Sequence, residues 1–349
     1  MRAPSYRAGY RRTTLGPLAF RVRLRPLVIC LALAGAMLAG ALWALMHGSL
    51  HIPTGAAIAA LTGGEANREV LHIIMEVRLP RVLMAMLIGA MLGLAGAAMQ
   101  TLTRNGLADP GLIGVKEGAS IGVLLVLFGA PGLSLGWRPV AGLAGGLSAA
   151  LLVCALARDL SGLRFVLVGI GLSWLLSAVL LIFLTTADIN DVETALLWLA
   201  GSLHNAAWPM LPVAALWGAL GALTLAATAR QADAALLGDA AASGLGVRLK
   251  GLNGLRLASS ALMTAAAVSC VGSLGFVGLM APHMARLMVG GGQGALLTGS
   301  ALCGGFLVLA ADTFGRLAFA PLQIPAGIVM AVFGVPVFLL LLWHRRDRL

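Results

Sequence analysis

Ten apolar runs follow one another along this chain, each near the roughly 20 residues that an α-helix needs to cross the hydrocarbon layer of a bilayer. They lie near 27–47, 79–101, 112–130, 137–157, 163–185, 208–229, 257–273, 276–289, 296–312 and 324–343, the eighth being short. In lipid the backbone must satisfy its own hydrogen bonds, which leaves helices or a closed barrel as the possible spanning structures. The runs are rich in alanine, leucine and glycine and lack the apolar/polar alternation of barrel strands, so the fold class is all-α, a polytopic membrane protein. With 60% hydrophobic and 11% charged residues over 349 positions, the chain is too apolar for a soluble globular protein.

Orientation follows from the basic residues, which are retained on the cytosolic side of a membrane. Placing the N terminus inside puts 19 of the 24 Lys and Arg residues in the cytosol: seven before residue 26, then Arg104, Lys116, Arg158, Arg164, Arg230, Arg248, Lys250, Arg256, Arg286, Arg345, Arg346 and Arg348. Only Arg68, Arg78, Arg81, Arg138 and Arg316 face out. The net charge of +11 is therefore an orientation signal, with anionic lipid as a partner for it and no role for nucleic acid. The Arg11 and Arg12 pair before an apolar stretch has the look of an export signal, but no small-residue cleavage site closes the segment, so the first helix is read as uncleaved. The chain divides into a basic cytoplasmic segment at 1–26, a ten-helix transmembrane domain at 27–343 and a cytoplasmic tail at 344–349. Cys30, Cys154, Cys270 and Cys303 stand isolated inside apolar runs, without metal-ligand or disulfide spacing, and read as packing residues.

Arg78 and Arg81 stand out against this background. They open the run RLPRVLMAMLIGAMLGLAGAAMQ on the outer side, and Pro80 suits a first helical position. Both cations are then expected at the positive end of a helix dipole, at a cost of about 0.3–1 kcal/mol each. An outside partner carrying carboxylates would turn that cost into a docking site. Within the same run Gly89 and Gly93, and later Gly142 and Gly146, have the small-xxx-small spacing of close helix contacts.

Three stretches interrupt the rhythm of run and short loop. The first, 48–78, carries Glu65, Glu69 and Glu76 outside; the second, 186–207, has Asp188, Asp191 and Glu193 followed by a short apolar segment read as a partly inserted helix. The third, 230–256, is the largest cytosolic connection. There Gly238 breaks the preceding helix, Asp239 is placed as an N-cap, Ala240 to Ala242 form helix readily, and Gly244 and Gly246 stop it. A short capped helix of this kind docks into a groove on a partner, with an ordinary solvated loop as the alternative.

Energy coupling is not supplied by the chain in any familiar form. No GxxxxGK[ST] phosphate loop occurs, which argues against ATP binding of the P-loop kind. An ion-coupled carrier keeps a carboxylate near mid-bilayer, whereas Asp312 and Glu117, the nearest to that position, each lie within about a turn of a run boundary. Gln100, a buried amide in a bundle interior, is a candidate for a translocation path. Met84, Met86, Met91 and Met99 could offer it a soft surface, although a methionine-rich packing face is the commoner explanation.

Three long motifs in order carry a resemblance: RLPRVLMAMLIGAMLGLAGAAMQTLTRNGLADPGLIGVKEGAS, FVGLMAPHMARLMVG at 276–290 and AADTFGRLAFAPLQIPAGIVMAVFGVPVF at 310–338. From about residue 27 onward the chain resembles the permease subunits of iron-siderophore, haem and cobalamin ABC importers, with motifs most like those of ferric-enterobactin-type permeases. The resemblance implies ten spans in the type II importer architecture and import of a ferric siderophore across the bacterial inner membrane, with haem or cobalamin as the alternative cargo and an ion-coupled carrier as the rival class. Implied partners are a second permease subunit, two cytosolic ATPase subunits that use ATP and Mg, and a periplasmic binding protein; no cofactor is expected on this chain and no enzyme activity of its own.

Residue by residue, the resemblance makes Arg78, Arg81 and Arg316 the positions that meet glutamates of the binding protein. It makes Gly238, Asp239, Ala240, Ala241, Ser243, Gly244, Leu245 and Gly246 the element that rests on the ATPase. Gly162 and Leu163 take the cytoplasmic gate positions, where the family often has small hydroxyl residues, so an apolar constriction is expected instead. His283, after Pro282, is implied to be structural. Gly106 and Gln323 depart from the family pattern, the latter removing one outward charge where relatives carry Glu.

Overall fold

The computed structural model describes residues 10–15, 18–48, 52–64, 67–130, 132–133, 136–160 and 162–343. An antiparallel hairpin of β1 (Tyr10–Leu15) and β2 (Leu18–Arg23) leads directly into α1 (Leu24–Met46). It is the one departure from an all-helical chain among the described residues, in a segment whose Thr13, Thr14, Phe20 and Val22 favour extended backbone. Then come α2 (Thr54–Thr62), α3 (Arg68–His72), a π-helical turn at Ile73–Arg78, α4 (Leu79–Leu102), a 3₁₀ turn at Pro110–Ile113, α5 (Val115–Gly129), α6 (Trp137–Ala157) and α7 (Leu163–Thr186). The rest is α8 (Ile189–Leu199), α9 (Met210–Ala227), α10 (Ala229–Ala235), α11 (Asp239–Gly244), α12 (Leu249–Val271), α13 (Val277–Met288), α14 (Gln293–Leu317) and α15 (Ala326–Trp343). Each of the ten expected segments holds a helix. Seven helices among the described residues are long and apolar enough to cross a membrane; α5, α13 and the described apolar part of α15 are shorter. Glu65 and the expected tail at 344–349, with Arg345, Arg346 and Arg348, lie outside the described residues.

The bundle is organised around α4, which packs along α14 and is flanked by α12 and α13. Glycine makes the α4–α14 contact possible. A Cβ on Gly89 would lie 2.2 Å from the Gly304 carbonyl oxygen, one on Gly304 2.1 Å from that of Gly89, and one on Gly93 2.1 Å from that of Ser300. The two backbones therefore touch, as the small-xxx-small spacing led one to expect. Met84, Met91 and Met99 are fully buried in the cores that surround α4, where they pack against neighbouring helices.

The start of α4 differs from the expectation in a way that matters for the site. Residues Arg68–Leu102 form one continuous helix. Its exposed N–H groups are at Arg68 onward, where the Asn67 side chain accepts from Glu69 N–H at 3.4 Å. Pro80 has no N–H for the Glu76 carbonyl and its ring crowds that group, and the helix accommodates it with the wider π turn just before it, in which Leu79 N–H reaches Ile74 O. Arg78 and Arg81 thus lie about three turns inside a helix, and the expected dipole cost does not arise.

The connection at 230–256, expected in the cytosol, is also more helical than expected, because α12 begins at Leu249 rather than 257. Gly251, Asn253 and Gly254 hide the apolar periodicity of LKGLNGLRLA. Arg256, counted above among the basic residues of the cytosolic side, is consequently a buried residue of α12, only 1% exposed.

Candidate functional site

Arg78, Arg81 and Arg316 come together at one end of the bundle, and all three are buried. Arg78 Nη1 donates to Leu45 O at 2.7 Å and to Met46 O at 3.1 Å, while Arg316 Nη2 donates to Ala44 O at 3.4 Å. These carbonyls end α1, where helix geometry leaves them without N–H partners and at the negative end of the dipole. With no basic residue in the last turn of α1, the capping cations come from α14 and from the π turn. Gly48 makes room: a Cβ there would lie 2.6 Å from Arg78 Nη2.

Asp312 is the hub of the cluster. Arg81 grips it with Nε at 3.0 Å from both carboxylate oxygens and with Nη2 at 2.8 Å from Oδ1, and Arg316 Nε lies 3.2 Å from Oδ2. The remaining Arg81 nitrogen, Nη1, donates to Gln323 Oε1 at 2.9 Å, and His204 Nδ1 lies 3.3 Å from the same oxygen. Sequence reasoning placed Asp312 near a boundary and gave it no role. The legible signal was its spacing of four from Arg316, which puts both on one helix face.

A second polar cluster occupies the other end of α14. Gln293 begins that helix; its backbone N–H donates to Asp233 Oδ1 at 2.8 Å, and its Oε1 accepts from Arg256 Nη2 at 3.0 Å and from Thr101 Oγ1 at 3.2 Å. Gln100, only 2% exposed, is bound within the same chain: Nε2 donates to Leu279 O at 3.2 Å, and Oε1 accepts from Arg286 Nη1 at 2.6 Å. Gln100, Thr101, Arg104, Asp233, Arg286 and Gln293 line a cavity of about 490 Å³. Gln293 to Arg316 spans 23 residues of helix, about 35 Å at 1.5 Å per residue, so α14 alone carries one polar cluster at each face of a bilayer-thick bundle.

Beside that cavity, α10 and α11 form the short-helix element expected at 238–246. Asp239 is the first residue of α11 rather than its cap: Gly238 takes the cap position, and the Asp239 carboxylate pairs with Arg104, whose Nη2 also donates to Ala235 O at 3.1 Å. The helix closes at Gly246, in the left-handed region with φ 81°, with bonds from Gly246 N–H to Ser243 O and from Val247 N–H to Ala242 O. Ala240, Ala241, Ser243, Gly244 and Leu245 are exposed, and Leu236 and Leu237 add apolar surface next to them.

The remaining expected positions fall elsewhere. Gly162 precedes α7 with extended backbone and Leu163 is 74% exposed, an apolar pair at a helix start. His283 sits edge-on to Phe338 with ring centroids 6.0 Å apart. Among the described residues no group of three or more His, Cys, Asp and Glu side chains is placed to hold a metal ion.

Comparison with known proteins supplies the family. Residues 23–344 match the FecCD transport family. This chain belongs to it. The family comprises transmembrane permease subunits of ABC importers, in which separate subunits hydrolyse ATP. The ferric enterobactin transport system permease protein of Escherichia coli is 36% identical over 336 residues, covering 94% of this chain and 99% of that protein. The cobalamin import system permease protein of Halobacterium salinarum is 37% identical over 279 residues, covering 79% of this chain and 74% of that one. In three dimensions the chain is similar to a solved inward-facing conformation of a metal-chelate type ABC transporter, with a TM-score of 0.82 and 29% identity over 91% of this chain and 99% of the other.

Proposed function

We propose that this chain is the permease subunit of an importer that carries a ferric siderophore from a periplasmic binding protein across the bacterial inner membrane, driven by ATP hydrolysis in two separate cytosolic subunits. The observation that supports it best is α14, which holds an arginine cluster at one end and, about 35 Å away, the Asp233 contact to the α10–α11 element at the other. In this reading the arginine end faces the periplasm and Arg78, Arg81 and Arg316 meet acidic residues of the binding protein. Residues 238–246 rest on the ATPase, with Leu236, Leu237 and Leu245 as the apolar contact. All ten apolar helices cross or enter the membrane, with both termini in the cytoplasm, and two such subunits enclose one path. Gly162 and Leu163 narrow its cytosolic mouth, and Gln100 lines it. ATP and Mg bind to the partner, and this chain makes no chemical bond.

Reconstitution in liposomes tests the energy source. With an ion gradient and no ATPase, uptake of ferric enterobactin stays at background, and it appears when the ATPase subunits, the binding protein and ATP are added. Robust gradient-driven uptake would refute the proposal. The cobalamin relative, 37% identical over a shorter stretch than the enterobactin one, makes cobalamin the second cargo to offer in the same assay.

A further inference from the structure

The arginine cluster is unbalanced. Two guanidinium groups, those of Arg81 and Arg316, share the one Asp312 carboxylate, and every side-chain nitrogen of Arg81 already has a partner: Nε and Nη2 on Asp312, Nη1 on Gln323. A carboxylate arriving from outside finds every Arg81 nitrogen already engaged and the side chain only 9% exposed, with the second hydrogen of each terminal nitrogen left to it. Asp312 is out of its reach, with a side chain 2% exposed. Gln323, by contrast, is exposed, and through His204 the bond to Arg81 reaches the surface. The backbones behind this arrangement are pinned, because α4 and α14 meet glycine to glycine.

We propose that Asp312 and Gln323 are positioning residues that hold Arg81 turned inward and thereby set the affinity of this face for its acidic protein partner, whose carboxylate takes Arg81 over from them. The inference rests on the docking reading above. It gives Gln323 a purpose: a neutral amide holds Arg81 by one hydrogen bond, where a glutamate would add a second full counter-charge and a tighter hold.

The test uses the full chain in nanodiscs, with the solute-binding protein of the same transport system as the probe. Gln323→Glu is expected to weaken association about tenfold, and Leu322→Glu, an equal charge on a neighbouring residue that is 74% exposed, to weaken it less than threefold. Equal effects of the two variants would overturn the inference in favour of general surface charge. Asp312→Asn is expected to strengthen association of the folded fraction and to raise the rate at which phenylglyoxal modifies Arg81 by about tenfold, read by mass spectrometry. An unchanged modification rate in folded protein would also overturn it, and where Asp312→Asn does not fold, the Gln323→Glu and Leu322→Glu pair decides alone. Arg78→Gln separates the two levels. If it weakens association while Gln323→Glu does not, only the inward hold is wrong; if neither has an effect, the docking reading fails and the inference with it.

Discussion

Asp312 shows how differently one residue can weigh from its neighbours of the same type. A carboxylate with a side chain 2% exposed and two guanidinium partners has exchanged its hydration for those partners. Taking it away strands Arg81 and Arg316 together. Asp312→Asn is expected to cost about 3–5 kcal/mol, read as thermal or denaturant unfolding in detergent. Arg104 and Asp239 form the opposite case, a pair with side chains 51% and 67% exposed, and separating them by Asp239→Asn should move stability by less than about 1 kcal/mol. A similar loss of stability in the two variants would show that burial does not set the scale. The burial of Arg256 was not legible for a related reason: three polar or glycine residues ahead of it concealed a helix, and only the packing of α12 shows that it is enclosed.

Single elements owe their form to one or two positions each. The α4–α14 pair depends on Gly89 and Gly304, because the atoms that a side chain would strike are backbone and cannot swing aside. Gly304→Val is expected to destabilise the bundle by about 3 kcal/mol, seen as a lower melting temperature and a loss of monodisperse protein in detergent. In α11 the closing residue Gly246 has a φ of 81°, and a β-branched side chain there costs roughly 1–2 kcal/mol locally. Since the surrounding residues are exposed, Gly246→Val should leave the bundle folded while reshaping the loop. The expected outcome is ATP hydrolysis by the assembled transporter with reduced transport per ATP; unchanged coupling would count against α11 as the ATPase contact.

At the scale of the whole molecule, the arginines that the charge rule marked as anomalous are neither exposed nor at a helix start; they close the end of α1 and join it to α4 and α14. That placement makes charge reversal a poor probe of docking, because a glutamate at 78 or 316 would face Asp312 or the carbonyls of α1. Arg78→Gln avoids placing a negative charge there; it removes the guanidinium charge and shortens the side chain away from the Leu45 and Met46 carbonyls. In folded protein it is expected to slow association with the binding protein and to flatten its dependence on salt, measured by stopped-flow or surface-based binding, while the uncapped carbonyls of α1 cost about 1–3 kcal/mol of stability. The sequence alone determined the membrane class, the order of the helices, the close-packing glycine stripe and the short helix at 239–244, since each rests on local composition or on spacing within one helix. The motifs likewise sufficed for the family. The tertiary structure alone decided that Asp312 is the counter-ion of Arg81 and that Gln293 gathers Asp233, Arg256 and Thr101. Those partners lie 231 and between 37 and 192 residues apart, and hydrogen-bond geometry between distant segments exists only once the helices have packed.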